Sequence, residues 1–290
     1  MLRPHLFILF LALMPLICVA QEKSAAQRRL HAMEFHLRAS ERPGILVPMY
    51  VYPENIHKNA AYNRLIEIKR DYPTVPIWVI VNPASGPGAQ LDANYTKAID
   101  RLRGAGCVVL GYVSTSYGKR AQADIKKDLD AWLKMYPAVQ GVFFDEMIYE
   151  DTEAGAKLQA GLNEYAKSIG YWPTVANPGA ETPGRYFATN ASGVCAADVI
   201  VVHEGDAWPK EDRLKGDYFG GASDYPPFTR AVLLHSQKSL DKVALKMTQK
   251  YARWVYVTED PYKPNDPKAD NPWDTLSKFL PEMCEHLRAE

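Results

Sequence analysis

Two carboxylates stand side by side in Gly141-Val-Phe-Phe-Asp-Glu-Met147, where bulky aromatics run straight into Asp145 and Glu146. A second apolar run, Val199-Ile-Val-Val-His-Glu204, ends in His203 and Glu204. Carboxylates at the ends of separate strands can meet over one pocket. General acid/base and nucleophilic carboxylate chemistry needs that geometry. Adjacent residues on a regular strand point to opposite faces, so Asp145 and Glu146 cannot both face the interior unless the alternation breaks. One is expected to line the pocket while the other turns with the loop. A single strand-end carboxylate would read as a helix cap or an ion-pair partner; Glu204 at a second strand end shifts the balance toward function. Phe143, Phe144 and Trp208 are available as apolar surroundings, which would hold a proton on an acid near neutral pH.

Other strand ends carry groups suited to a sugar. Tyr50 and Tyr52 are two residues apart, so on a strand they point to the same side and can line a barrel mouth. Asn82 ends an apolar run before a Gly/Pro turn, where it can bond a hydroxyl or hold the turn. That turn has no Lys-Ser/Thr after it and does not read as a phosphate loop. Tyr112 and Tyr117 can stack on sugar rings, Asn177 offers an amide, and His203 and Trp208 complete the candidate substrate contacts. Asp145, Glu146, His203, Glu204 and Asp206 are also acceptable metal ligands. They show no His-rich pattern of fixed metal spacing, so neither a metal nor another cofactor is expected. A metal-dependent hydrolase using this cluster stands as a rival, as does a carbohydrate-binding or surface protein on an inactive barrel.

These residues need elements to hold them. Apolar runs predict strands over 45–52, 77–82, 108–114, 142–145, 174–176, 199–203, 231–235 and 254–258. Helical spacing fills 60–72, 91–104, 121–136, 154–169, 240–253 and 273–288. Strand and helix in alternation predict a parallel sheet of βαβ units, and eight such strands predict a single α/β (β/α)8 TIM-like barrel. No linker divides it.

The 290 residues carry 34 basic and 34 acidic side chains. No basic block points to nucleic acid. A short positive start, an apolar run over 6–19 and small residues before Gln21 predict a signal peptide over 1–20. A helical segment over 21–43 and a catalytic domain over 44–290 would follow. The expected product is secreted or periplasmic and monomeric, with no membrane span in the mature chain. Cys107, Cys195 and Cys284 match no zinc spacing and read as buried small apolar residues.

Val47-Pro-Met-Tyr-Val-Tyr-Pro53, Val79-Ile-Val-Asn-Pro-Ala-Ser-Gly-Pro-Gly88, Leu110-Gly-Tyr-Val-Ser-Thr-Ser-Tyr-Gly118, Gly141-Val-Phe-Phe-Asp-Glu146 and Asn177-Pro-Gly179 together resemble the spherulin-4 (spherulation-specific family 4) proteins, in the family's order. The resemblance implies a (β/α)8 glycoside hydrolase similar to endo-α-1,4-N-acetylgalactosaminidases, acting on a polysaccharide such as galactosaminogalactan in exopolysaccharide or biofilm matrix. By the same analogy Asp145 is the nucleophile, Glu204 the acid/base and Glu146 an assisting group. Met49, Ser114 and Glu259-Asp260 depart from the commoner family residues and leave the exact sugar open.

Overall fold

The computed structural model describes residues 42–190, 192–216, 225–266 and 271–288. The expected signal peptide and the helical segment before residue 42 lie outside the described residues. Eight parallel strands run in sequence order around one sheet: β1 Ile45–Met49, β2 Ile77–Val81, β3 Val108–Ser114, β4 Gly141–Asp145, β5 Thr174–Asn177, β6 Val199–Gly205, β7 Arg230–Leu234 and β8 Trp254–Val257. A parallel bridge between Gly44 and Trp254 brings the last strand to the first. The helices between them are α1 Ala60–Asp71, α2 Ala93–Gly104, α3 Gln122–Met135, α4 Glu153–Ser168, α5 Glu211–Lys215 and α6 Lys242–Gln249; α7 Leu280–Arg288 follows β8. This is the expected barrel.

The sequence dictates this locally. The strands are rich in β-branched and aromatic residues and are buried on both faces, as parallel strands between a barrel core and a helical layer must be. Helix starts are marked by short polar side chains. Asn59, Asp92, Thr152 and Asp241 each accept a bond from a backbone N–H in the first turn, satisfying donors with no helical partner. Glycines at 106 and 170 take positive φ and let the chain leave α2 and α4 toward the next strand. At the N-terminal end of the barrel the rings of Trp78 and Trp254 stack, 3.6 Å between centroids. That plug closes one end and leaves the C-terminal end for chemistry. No helix among the described residues is long and apolar enough to cross a membrane.

Two strands depart from the regular pattern, and both departures matter at the pocket. β6 pairs Val201 with Ala231 but His203 with Val232, so Val202 is an extra residue, a β-bulge. Without it His203 would stand opposite Leu233 and face inward; with it Glu204 takes that place. β4 ends at Asp145, and Glu146 adopts a φ of 54°. A non-glycine residue in that left-handed region costs about 1–2 kcal/mol. The turn breaks the alternation and lets both neighbours line one cavity.

Three expected elements are shorter by three residues or more than the pattern predicts. β1 stops at Met49, so Tyr50 and Tyr52 lie beyond it rather than sharing a strand face. The sixth helix covers only Lys242–Gln249, and the last begins at Leu280 rather than Trp273. Pro281 sits in the first turn of that helix, where its missing N–H costs nothing, and would break a helix running on from Trp273. Cys107, Cys195 and Cys284 are free thiols.

Candidate active site

A cleft of about 580 Å³ opens at the C-terminal end of the strands. Asp145, Glu146 and Glu204 all line it. Each arrives for a physical reason. Asp145 is the last residue of β4, Glu146 follows it through the left-handed turn, and the β6 bulge turns Glu204 inward. Among the described residues the lining contains no Lys or Arg.

Asn177, at the end of β5, organises them. Its Nδ2 donates to Asp145 Oδ1 at 3.0 Å and to Glu204 Oε2 at 2.7 Å. A single nitrogen therefore holds those two oxygens less than 5.7 Å apart. With its two N–H bonds about 120° apart, the separation is about 5 Å. Its Oδ1 accepts from the Gly179 N–H at 3.0 Å, which fixes the amide orientation. Tyr112 donates its hydroxyl to Asp145 Oδ2 at 2.7 Å. Both oxygens of Asp145 thus accept a hydrogen bond. Ser114, also on an inward position of β3, donates to Glu146 Oε2.

The two bridged acids are not equivalent. Burial raises the Asp145 carboxyl above the ordinary aspartate value, while the bonds from Tyr112 and Asn177 oppose the rise. Burial first, and then the charge of Asp145, push Glu204 from 4.5 up to about 7. Asn177 and then the neighbouring Trp273 pull it part of the way back. Asp145, with donors on both oxygens, and Glu204, with its proton held near neutral pH, can divide the work of ionised nucleophile and proton donor.

The other expected site residues fall into three groups. Tyr50 and Tyr117 line the cleft, and Tyr112 reaches it through Asp145. The Tyr50 ring meets Tyr112 edge-on, 5.8 Å between centroids. Asn177 is spent on holding the carboxylates. Tyr52, Asn82, His203 and Trp208 lie outside the lining. Tyr52 donates to Asp92 at 3.0 Å and accepts from Asn94 at 2.9 Å. Asn82 holds its turn by accepting from the Gly86 N–H at 3.2 Å. The His203 ring bonds the Ala207 carbonyl at 2.8 Å, on the outward side of the bulge. Trp208 packs against the core. Asp145, Glu146 and Glu204 share the cleft, but among the described residues no group of three or more His, Cys, Asp or Glu side chains is arranged to hold a metal ion.

Two residues of the cleft were not anticipated. Trp273 lines the cleft beside Glu204 and presses edge-on against His235, 5.9 Å between centroids. Its signal was Asn271-Pro272-Trp273, where proline argues for a loop rather than a helix start. His235 lines the cleft just beyond β7, at the end of a predicted strand where a polar residue already stood.

The model of spherulation-specific family 4 matches residues 44–287. Spherulin-4 of Physarum polycephalum is 34% identical over 161 residues, 55% of this chain and 46% of that protein. The match thus spans less than half of that relative's length. The crystal structure of Aspergillus clavatus Sph3 in complex with GalNAc superposes with a TM-score of 0.68 at 25% identity, covering 85% of this chain and 98% of that one. A GH2 β-galacturonidase from Eisenbergiella tayi, solved with galacturonate, shares the fold at a TM-score of 0.50 and 10% identity, over 86% of this chain and 51% of that one.

Proposed function

The chain belongs to spherulation-specific family 4, and on that footing we propose that it is a secreted, endo-acting glycoside hydrolase of a polysaccharide containing galactosamine or N-acetylgalactosamine, working with retention. The observation that carries the reading is the Asn177 bridge, with one amide between two carboxylates about 5 Å apart at strand ends. Retaining glycosidases keep their two carboxyl groups about 5–5.5 Å apart, whereas inverting enzymes leave room for a water between them. The GalNAc bound to Sph3 supports the sugar class.

In this reading Asp145 attacks the anomeric carbon as the glycosidic C–O bond breaks, and Glu204 gives its proton to the departing oxygen. Water then attacks the same carbon, Glu204 takes the water's proton, and Asp145 leaves as carboxylate. Each carboxylate ends as it began. Asp145 suits the nucleophile because donors on both oxygens favour its ionised form. Glu204, held near 7, suits proton transfer in both directions. Glu146, set by Ser114, supports from the side. The catalytic unit in this reading is 44–290, acting as a monomer.

The test is to incubate the full chain with galactosaminogalactan, its deacetylated form and unrelated glucans, and to analyse the products by mass spectrometry beside Asp145→Asn. The expected result is a ladder of oligosaccharides from a galactosamine polymer, lost at least about 10³-fold in the variant. Binding of the polymer with no product from any glycan would instead favour an inactive, sugar-binding barrel.

A further inference from the structure

The mouth of the cleft carries a pair of aromatic rings that the bond-breaking chemistry does not use. Tyr117, after β3, is 39% exposed and lines the cleft; Tyr149, after β4, is 38% exposed. Their ring centroids are 6.1 Å apart, with the planes at 86°. Exposed apolar rings gain little for the fold, yet the backbone here is held in an unfavourable shape. Ser116 and Tyr117 have φ of 48° and 53°, a region that bulky side chains rarely occupy.

That shape is tied to the catalytic loop itself. The Tyr117 N–H donates to the Glu146 carbonyl at 2.6 Å, and Thr115 Oγ1 donates to the same carbonyl at 2.7 Å. The Thr115 N–H bonds the Asp145 carbonyl at 2.9 Å. Two successive strand-end loops are therefore clamped together, and the clamp fixes the Tyr117 ring beside the carboxylates. Strain of this kind persists where surrounding structure enforces it, and it concentrates at ligand sites. Across the barrel mouth, the loop after β8 contributes Tyr262, 47% exposed and lining the same cleft. In an eight-strand ring β8 lies opposite β4. Aromatic surface thus stands on both sides of Asp145 and Glu204.

We propose that Tyr117 and Tyr149 form an outer subsite that stacks on a pyranose ring of the polymer away from the cleaved bond, with Tyr149 setting the dependence on chain length. The C–H face of a pyranose is apolar and matches an aromatic face, and rigid rings lose little entropy on binding. The proposal rests on the glycoside hydrolase reading and adds where the polymer runs.

The test uses the full chain carrying Asp145→Asn, so that bound sugars are not cut. It is titrated calorimetrically with α-1,4-linked galactosaminyl oligosaccharides from disaccharide to octasaccharide, with mannan oligosaccharides as controls. Affinity is expected to rise with length. Adding Tyr149→Ala is expected to lower affinity for the long oligosaccharides about tenfold and leave the disaccharide unchanged, while Tyr149→Phe keeps the gain. An unchanged length dependence in Tyr149→Ala, an equal loss at every length, or no binding of any oligosaccharide would each overturn the subsite. Hydrolysis of the polymer by the unaltered chain is read separately. If it persists, only the subsite falls; if no polymer is cut, the hydrolase reading falls as well.

Discussion

Glu204 is where the chemistry and the surroundings meet most closely. Burial and the neighbouring Asp145 carry it to about 7. The rate constant kcat/KM is therefore expected to follow a bell in pH. It rises as Asp145 ionises, above the ordinary aspartate range, and falls as Glu204 loses its proton above about 7. The two limbs belong to the pair as a coupled unit. Glu204→Gln should abolish the alkaline limb together with most of the rate; a variant that keeps the full bell would remove Glu204 from the mechanism. Asn177 tests the bridge. Its bond favours the ionised form of Glu204, so Asn177→Ala should lower kcat about 10²-fold and move the alkaline limb upward. A pH profile unmoved by this change would mean that the amide does not govern the pair.

At the scale of elements, the site depends on how strands and helices seat against one another. Trp132 of α3 lies over Gly111 of β3, and a Cβ there would sit 2.7 Å from the indole. The same indole donates to the Tyr112 carbonyl at 2.9 Å. Gly111→Ala should therefore destabilise by about 1–3 kcal/mol. Urea unfolding measures this, and an unchanged midpoint would refute the packing account. The alternation of strands and helices was legible in the sequence because buried parallel strands leave continuous apolar runs such as Val199–Val202. Asp145, Glu146 and Glu204 were legible as strand-end carboxylates. What was not legible is which side chains turn inward. A bulge at Val202 exchanges His203 for Glu204, and nothing in Val-Ile-Val-Val-His-Glu marks the extra residue. Tyr52 misled for a related reason: the period of two holds only while the strand lasts, and β1 ends at Met49. Trp273 was hidden because it approaches from far along the chain, which no local pattern records.

Over the whole molecule, the barrel acts as a ring that carries acids from β4 and β6 to one mouth, with β5 between them supplying the amide that joins them. One end is plugged by tryptophans, and the other carries three carboxylates among aromatic rings. In the proposed reading this arrangement hydrolyses an α-linked galactosamine polymer through a nucleophilic Asp145. It is tested most directly by following the first products of the full chain on that polymer by proton NMR, before the new reducing ends equilibrate. The account predicts that they appear as the α-anomer and that Asp145→Asn yields none. First appearance of the β-anomer would contradict it, because an inverting reaction needs a water where Asn177 holds the carboxylates together.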